Sequence, residues 1–225
     1  GGLITVLFWW VAQEKPNAVQ AAVSSSGAAR AGGGGFWSVP LVMVSLASLL
    51  RMSQTYGILT WIPAYLTETL RFSPPEIAVV TTVLSLSPVP ALVLSGWLSD
   101  RTRNKPALAI AGLLISSFAV LLAWQGIASF WLVTAVSFAA GFGMGISSIP
   151  IFALPAMTVP PSHVGRATGF ASTMTFAGPI FTAYLGGYIV TATGEYGLAF
   201  LVFGLVPIAA ALVLAPLVRS FKPRW

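Results

Sequence analysis

One arginine, Arg51, lies inside a long apolar run, 11 residues after Pro40 and 10 before Trp61. At 1.5 Å per helical residue each marker is roughly 15–17 Å away. If the run spans a bilayer, the guanidinium sits near the middle of a hydrocarbon layer about 30 Å thick. A charge at that depth is expensive and normally faces a watery cavity or a polar neighbour. Ser45, Ser48, Arg51 and Thr55 recur at three- and four-residue steps, making one polar stripe on an otherwise apolar helix. Gln54 lies at its edge and Tyr56 further round. Two readings stand. A cavity-facing guanidinium offers a bidentate fork to carboxylate or phosphate and favours an anionic solute, with Ser48, Gln54, Thr55 and Tyr56 beside it. Alternatively, Arg51 bonds the carbonyls of a neighbouring helix, or snorkels, and is structural glue.

Other chemistry is sparse. The chain has no cysteine, hence no disulfide framework or thiolate metal site, and its single histidine, His163, cannot form a metal centre alone. Gly141, Gly143 and Gly145 form a G-x-G-x-G run, but inside an apolar helix-length stretch, where close helix packing is expected and a nucleotide loop is not. No pair of reactive groups lies at membrane depth, so neither an enzyme nor a cofactor is expected. No Asp or Glu falls inside an apolar stretch, so these helices carry no obvious proton-transferring carboxylate.

The elements that must position Arg51 follow from composition. Of 225 residues 56% are hydrophobic and only 7% charged, against about 25% charged in soluble domains. That density cannot cover a water-exposed surface, which excludes a soluble enzyme, a nucleic-acid binder and a disordered tail. Residues 1–12 read as the end of a preceding transmembrane helix, too short to span alone. Residues 13–35, with Ser24 to Ser26 and Gly32 to Gly35, have linker composition. Six apolar stretches follow, near 37–60, 75–98, 106–124, 129–157, 166–191 and 196–219, forming a bundle over 36–220 before a tail at 221–225. The fourth carries Pro150 and Pro155, which predict a kink near its end. If the linker is cytoplasmic, that side holds Lys15, Arg30, Arg101, Arg103, Lys105, Arg166, Arg219, Lys222 and Arg224, and the other only Arg71. This asymmetry sets the orientation and accounts for the net charge of +6 as topology and affinity for anionic inner-leaflet lipid. The expected architecture is therefore an all-α membrane protein.

Between the second and third full stretches runs Gly96-Trp97-Leu98-Ser99-Asp100-Arg101-Thr102-Arg103-Asn104-Lys105. It resembles the G-x-x-x-D-[RK]-x-G-[RK]-[RK] loop of the major facilitator superfamily, departing from it at Arg103 and Asn104. The run Pro160 to Gly169, followed by Gly178-Pro179 and Gly186-Gly187, is similar to the entry of helix eleven in that family. The resemblance implies a six-helix half-bundle of a twelve-helix fold: the end of helix six, a central linker, and helices seven to twelve. It implies a gating loop at Gly96, Asp100, Arg101 and Lys105, where the glycine permits close helix approach and the aspartate pairs with helix-start N–H groups or an arginine. Tyr56-Gly57-Ile58-Leu59-Thr60-Trp61-Ile62-Pro63-Ala64-Tyr65-Leu66-Thr67-Glu68 resembles the end of helix seven in its organophosphate antiporter and related anion-transporting branches. There an Arg directly precedes the Tyr; here the Arg is one turn deeper, at Arg51.

The resemblance implies a secondary transporter working by rocker-switch alternating access on a small solute, favoured to be an organic anion. Its expected partners are the solute, the N-terminal six-helix half of the same transporter and the lipid bilayer, with no nucleic acid. The alternatives are a sugar or drug transporter of the same superfamily, or a non-transporting sensor on the same fold. The expected location is a bacterial or archaeal inner membrane.

Overall fold

The computed structural model describes residues 37–102, 104–125 and 129–220, without the side chains of 124 and 220. The expected helix end at 1–12, the linker at 13–35, Arg103 and the tail at 221–225 lie outside the described residues. All regular structure among the described residues is helical: α1 (Val39–Glu68), α2 (Pro74–Leu86), α3 (Pro88–Arg101), α4 (Lys105–Trp124), α5 (Phe130–Met157), a 3-10 turn (Pro161–His163), α6 (Val164–Thr193) and α7 (Tyr196–Ser220).

Prolines and the hydroxyls that compensate for them shape these rods. The stretch expected as one helix near 75–98 is divided at Ser87 into α2 and α3. Pro88 has no N–H for the Leu84 carbonyl, and Ser87 Oγ donates to that carbonyl instead, at 3.1 Å. In α5 the helix continues through Pro150 and Pro155 to Met157. Pro150 leaves the Ile146 carbonyl without its usual donor, and Ser95 Oγ of α3 supplies one at 2.7 Å. One proline thus becomes an interhelical tie.

Among the described residues, four segments are long and apolar enough to cross a membrane: Pro74–Arg101, Lys105–Ala123, Phe130–Met157 and Tyr196–Arg219. Both α1 and α6 have 30 residues, about 45 Å of helix, but their polar and small residues dilute their hydropathy. Those residues make the α1–α6 contact. A Cβ on Gly178 would lie 2.5 Å from the Leu49 carbonyl oxygen, one on Gly57 would lie 2.5 Å from Thr182, and one on Gly186 would strike the Trp61 indole. Small residues let the backbones approach this closely.

The G-x-G-x-G run of α5 does the same on two faces. Gly141 and Gly145, one turn apart, face the α2–α3 break at Ser87, Pro88 and Ala91. Gly143 faces the other way, onto the backbone of Gly112 and Ser116 in α4. The packing expected of these glycines is what they do.

Two large apolar clusters fill the bundle, beside a small third one of Leu41, Val159 and Ala167. One joins Ile58, Ile62, Leu66, Val120, Val136 and Phe203; the other joins Val44, Ala47, Leu113, Ile151, Leu154 and Leu214. Between them, at mid-helix, lies a buried polar belt: Arg51 and Gln54 of α1, Ser116 and Ser117 of α4, Ser147 and Ser148 of α5. Ser117 Oγ donates to the Gly204 carbonyl of α7 at 2.5 Å, bringing a fourth helix into the belt.

The two ends of the bundle differ in charge. Ser38 Oγ donates to the Thr158 carbonyl at 3.3 Å and Asn104 Nδ2 to the Val218 carbonyl at 3.3 Å. These ties gather the start of α1, the α3–α4 turn and the ends of α5 and α7, with Arg101, Lys105, Arg166 and Arg219 nearby. The opposite end carries Glu68, Arg71, Glu76 and Glu195. Asn104 also caps α4, its Oδ1 accepting from Ala107 N at 3.2 Å. Asn104→Ala is expected to cost about 1 kcal/mol, seen as a lower melting temperature in detergent; an unchanged temperature would refute the cap's contribution.

Candidate functional site

The polar belt opens on one side into a cavity of about 330 Å³, lined by Arg51, Met52, Thr55, Tyr56, Leu59, Leu84, Ser85, Pro88, Met144 and Ser148. Three features meet there: the polar stripe of α1, the proline break between α2 and α3, and the middle of α5. A break in helical hydrogen bonding at membrane depth is tolerated where the backbone lines a cavity or is buried in protein. A larger depression of about 670 Å³ between α4 and α5 is lined by Ala111, Leu114, Phe118, Ala139 and similar side chains. Its apolar lining suits acyl chains and offers nothing to hold a polar solute.

Arg51 is 6% exposed. Its Nε donates to Ser147 Oγ at 3.1 Å, and its Nη2 donates to the Met144 carbonyl at 3.1 Å and to Ser148 Oγ. The guanidinium carbon lies 5.7 Å from the centre of the Phe152 ring. Of five N–H groups, three are thus engaged on α5. Nη1 makes no hydrogen bond to a described residue, and Arg51 is one of the residues that line the cavity. Both readings of Arg51 find a counterpart here: the guanidinium ties α1 to α5, and the same residue lines the cavity.

No carboxylate pairs with Arg51 among the described residues. The acidic side chains described stand at helix ends: Glu68 closes α1, Glu76 is in the first turn of α2, Asp100 is near the end of α3, and Glu195 precedes α7. The cavity wall therefore holds one buried positive charge solvated by neutral dipoles alone.

The other stripe residues separate. Thr55 lines the cavity, its Oγ1 donating back to the Arg51 carbonyl at 3.1 Å. Tyr56 also lines it and is 43% exposed. Ser48 does not reach it; its hydroxyl donates to the Val44 carbonyl at 2.9 Å inside the bundle. Gln54 turns away toward α4, its Nε2 donating to Ser116 Oγ at 2.9 Å. Gln54 Oε1 and Ser45 Oγ are buried without a partner among the described residues. Sequence reasoning did not single out Ser85, Ser147 or Ser148. The only signal for the last two was a serine pair just before Pro150 in an otherwise apolar run.

The loop residues occupy the basic end. The close approach expected at Gly96 is not made here, since a Cβ on Gly96 would meet nothing within 4 Å. Asp100 is exposed and makes no hydrogen bond or ion pair with a described residue; Arg103 of the same turn lies outside the described residues. Arg101 stacks on Trp97 of its own helix, 4.3 Å from the ring centre. Lys105 is the first residue of α4. Asn104, where the family loop usually has a basic residue, is instead the cap of α4.

Comparison with known proteins agrees with this architecture. The Major Facilitator Superfamily profile matches residues 44–224. The chain is 30% identical over 190 residues to the "Probable galactarate/D-glucarate transporter GudP" of Bacillus subtilis, covering 81% of this chain and 41% of that protein. It is 32% identical over 171 residues to the phosphoglycerate transporter protein of Salmonella typhimurium, covering 72% of this chain and 35% of that one. To the glycerol-3-phosphate transporter of Bacillus subtilis it is 31% identical over 137 residues, 59% of this chain and 29% of that one. The chain spans about two fifths or less of the length of these curated relatives. A family match over residues 44–224, on helices long and apolar enough for a bilayer, shows that the chain belongs to the major facilitator superfamily.

Proposed function

We propose that this chain is the C-terminal six-helix half of a secondary transporter for a small organic anion, working by rocker-switch alternating access. The observation that carries this is the charge of Arg51, paired with no described carboxylate, on the wall of a cavity of about 330 Å³. A buried charge without a counter-ion is costly, and an arriving carboxylate or phosphate would relieve that cost while meeting a fork-shaped donor. Thr55 and Tyr56 supply hydroxyls on the same wall. Relatives named for galactarate/D-glucarate, phosphoglycerate and glycerol-3-phosphate support this substrate class.

In this reading an N-terminal half completes the cavity, and the Gly96–Lys105 loop acts against that half, consistent with the open space around Gly96. The basic end faces the cytoplasm of a bacterial cell, as the distribution of Lys and Arg favours. The test is counterflow by the full-length transporter in proteoliposomes, with carboxylates, organophosphates, sugars and cationic drugs compared. Saturable anion uptake is expected. Uptake of a neutral sugar or a cation, with the anions ignored, would overturn the substrate class and leave the superfamily membership standing.

A further inference from the structure

Ser147 and Ser148 line up beside Arg51 in a way that assigns them a narrower task than general polarity. Both hydroxyls lie within donating distance of the Met144 carbonyl, Ser147 at 3.0 Å and Ser148 at 2.8 Å. Both hydroxyl oxygens accept from the guanidinium: Ser147 from Nε, Ser148 from Nη2. The Met144 carbonyl takes the second N–H of Nη2. Three acceptors on one turn of α5 therefore hold Nε and Nη2, and Nη1 is left without a hydrogen bond to a described residue.

The turn that carries these acceptors is itself wedged. Behind it, the backbone nitrogen of Ser147 lies so close to Gly112 of α4 that a Cβ there would come within 2.5 Å of it. Beside it, Ser95 of α3 holds the Ile146 carbonyl that Pro150 leaves free. The platform is fixed from two other helices before Arg51 arrives, the arrangement expected where a functional group must be pre-oriented.

We infer that Ser147 and Ser148 are positioning residues that hold the Arg51 guanidinium in the orientation that meets the transported anion. The inference rests on the anion-transport reading above. Ser147 is fully buried and does not line the cavity, so it acts on the anion only through Arg51, while Ser148 also reaches the cavity wall.

The experiment uses the full-length transporter in proteoliposomes, with initial uptake rates measured for D-glucarate and glycerol 3-phosphate. In Ser147→Ala/Ser148→Ala the KM for the transported anion is expected to rise about tenfold, the scale of one lost charge-assisted hydrogen bond, with kcat within about twofold. The double threonine variant keeps both hydroxyls and is expected to stay near the wild-type KM. A second readout needs no transport. Arg51 labelling by phenylglyoxal, followed by mass spectrometry in detergent, is expected to be several-fold faster in the double alanine variant, because Nε and Nη2 lose hydroxyl partners. Should the double variant fail to fold, the two single alanines are each expected to show the same direction of change. An unchanged KM and labelling rate in alanine variants of an anion-transporting protein would overturn the positioning role alone. A wild type that takes up neither anion, nor any other in the wider panel, would overturn the anion reading and this inference with it.

Discussion

Gly112→Ala is expected to be among the most disruptive single methyl additions in the bundle. The added Cβ would fall 2.5 Å from the Ser147 nitrogen and 2.8 Å from the Gly143 carbonyl oxygen. The counterpart on α5 is equally tight, because a Cβ on Gly143 would lie 2.5 Å from the Ser116 nitrogen and 2.7 Å from the Gly112 carbonyl oxygen. All of these neighbours are backbone, so no side chain can swing aside; α4 and α5 must separate by about 1 Å to restore ordinary contact. That pair is the most extensive helix interface in the bundle, and its core on either side would open together. Overpacking alone costs about 1–3 kcal/mol, and the lost contacts place Gly112→Ala at the top of that range or beyond. The measurement is thermal unfolding with size-exclusion recovery, against Gly187→Ala as control, where the new Cβ meets only the Trp61 ring at 3.7 Å. A Gly112→Ala protein as stable as the Gly187→Ala control would refute the backbone contact.

That contrast shows how far the sequence could be read. The apolar stretches marked every long helix, and the glycines of α5 announced close packing because nothing else explains G-x-G-x-G inside a span. Which neighbour each glycine meets was not legible, since Gly141 and Gly143 are two residues apart yet face different helices. The division at Ser87 was missed even though Pro88 and Pro90 stand in the sequence, because hydropathy is blind to a missing N–H. Arg51 was legible as a lone charge at mid-span. Ser48 and Gln54 shared its helix face by spacing, but a polar face turned toward α4 and one turned toward a cavity have the same periodicity; only packing separates them. The expected neighbours of Gly96 and Asp100 came from a family pattern, and the described helices do not provide them.

Arg51→Met separates the two readings that its spacing left open. Methionine matches much of the arginine's length and bulk but carries neither charge nor donors. If the guanidinium is chiefly glue, losing its three bonds to Met144, Ser147 and Ser148 should lower stability by about 0.6 kcal/mol per interhelical bond, up to about 1.7. If it is chiefly an anion ligand, the protein retains a charge at a cost in stability. Replacing that charge by an apolar side chain should then leave the melting temperature unchanged or raised, as occurs when buried ionic groups are exchanged for well-packed apolar ones. Transport responds oppositely. One unit charge acting on an anion at about 4 Å in a medium of effective dielectric 20 contributes about 4 kcal/mol, so kcat/KM for the anion is expected to fall by two to three orders of magnitude. Arg51→Lys is expected to lose most of that rate as well. A single ammonium can bond α5 or face the cavity, whereas the guanidinium has separate nitrogens for the two. Melting curves and proteoliposome uptake on the same preparations decide the matter. A destabilised Arg51→Met that still transports would make Arg51 a strut, while a stable and silent one would leave Arg51 as the point where the anion is held.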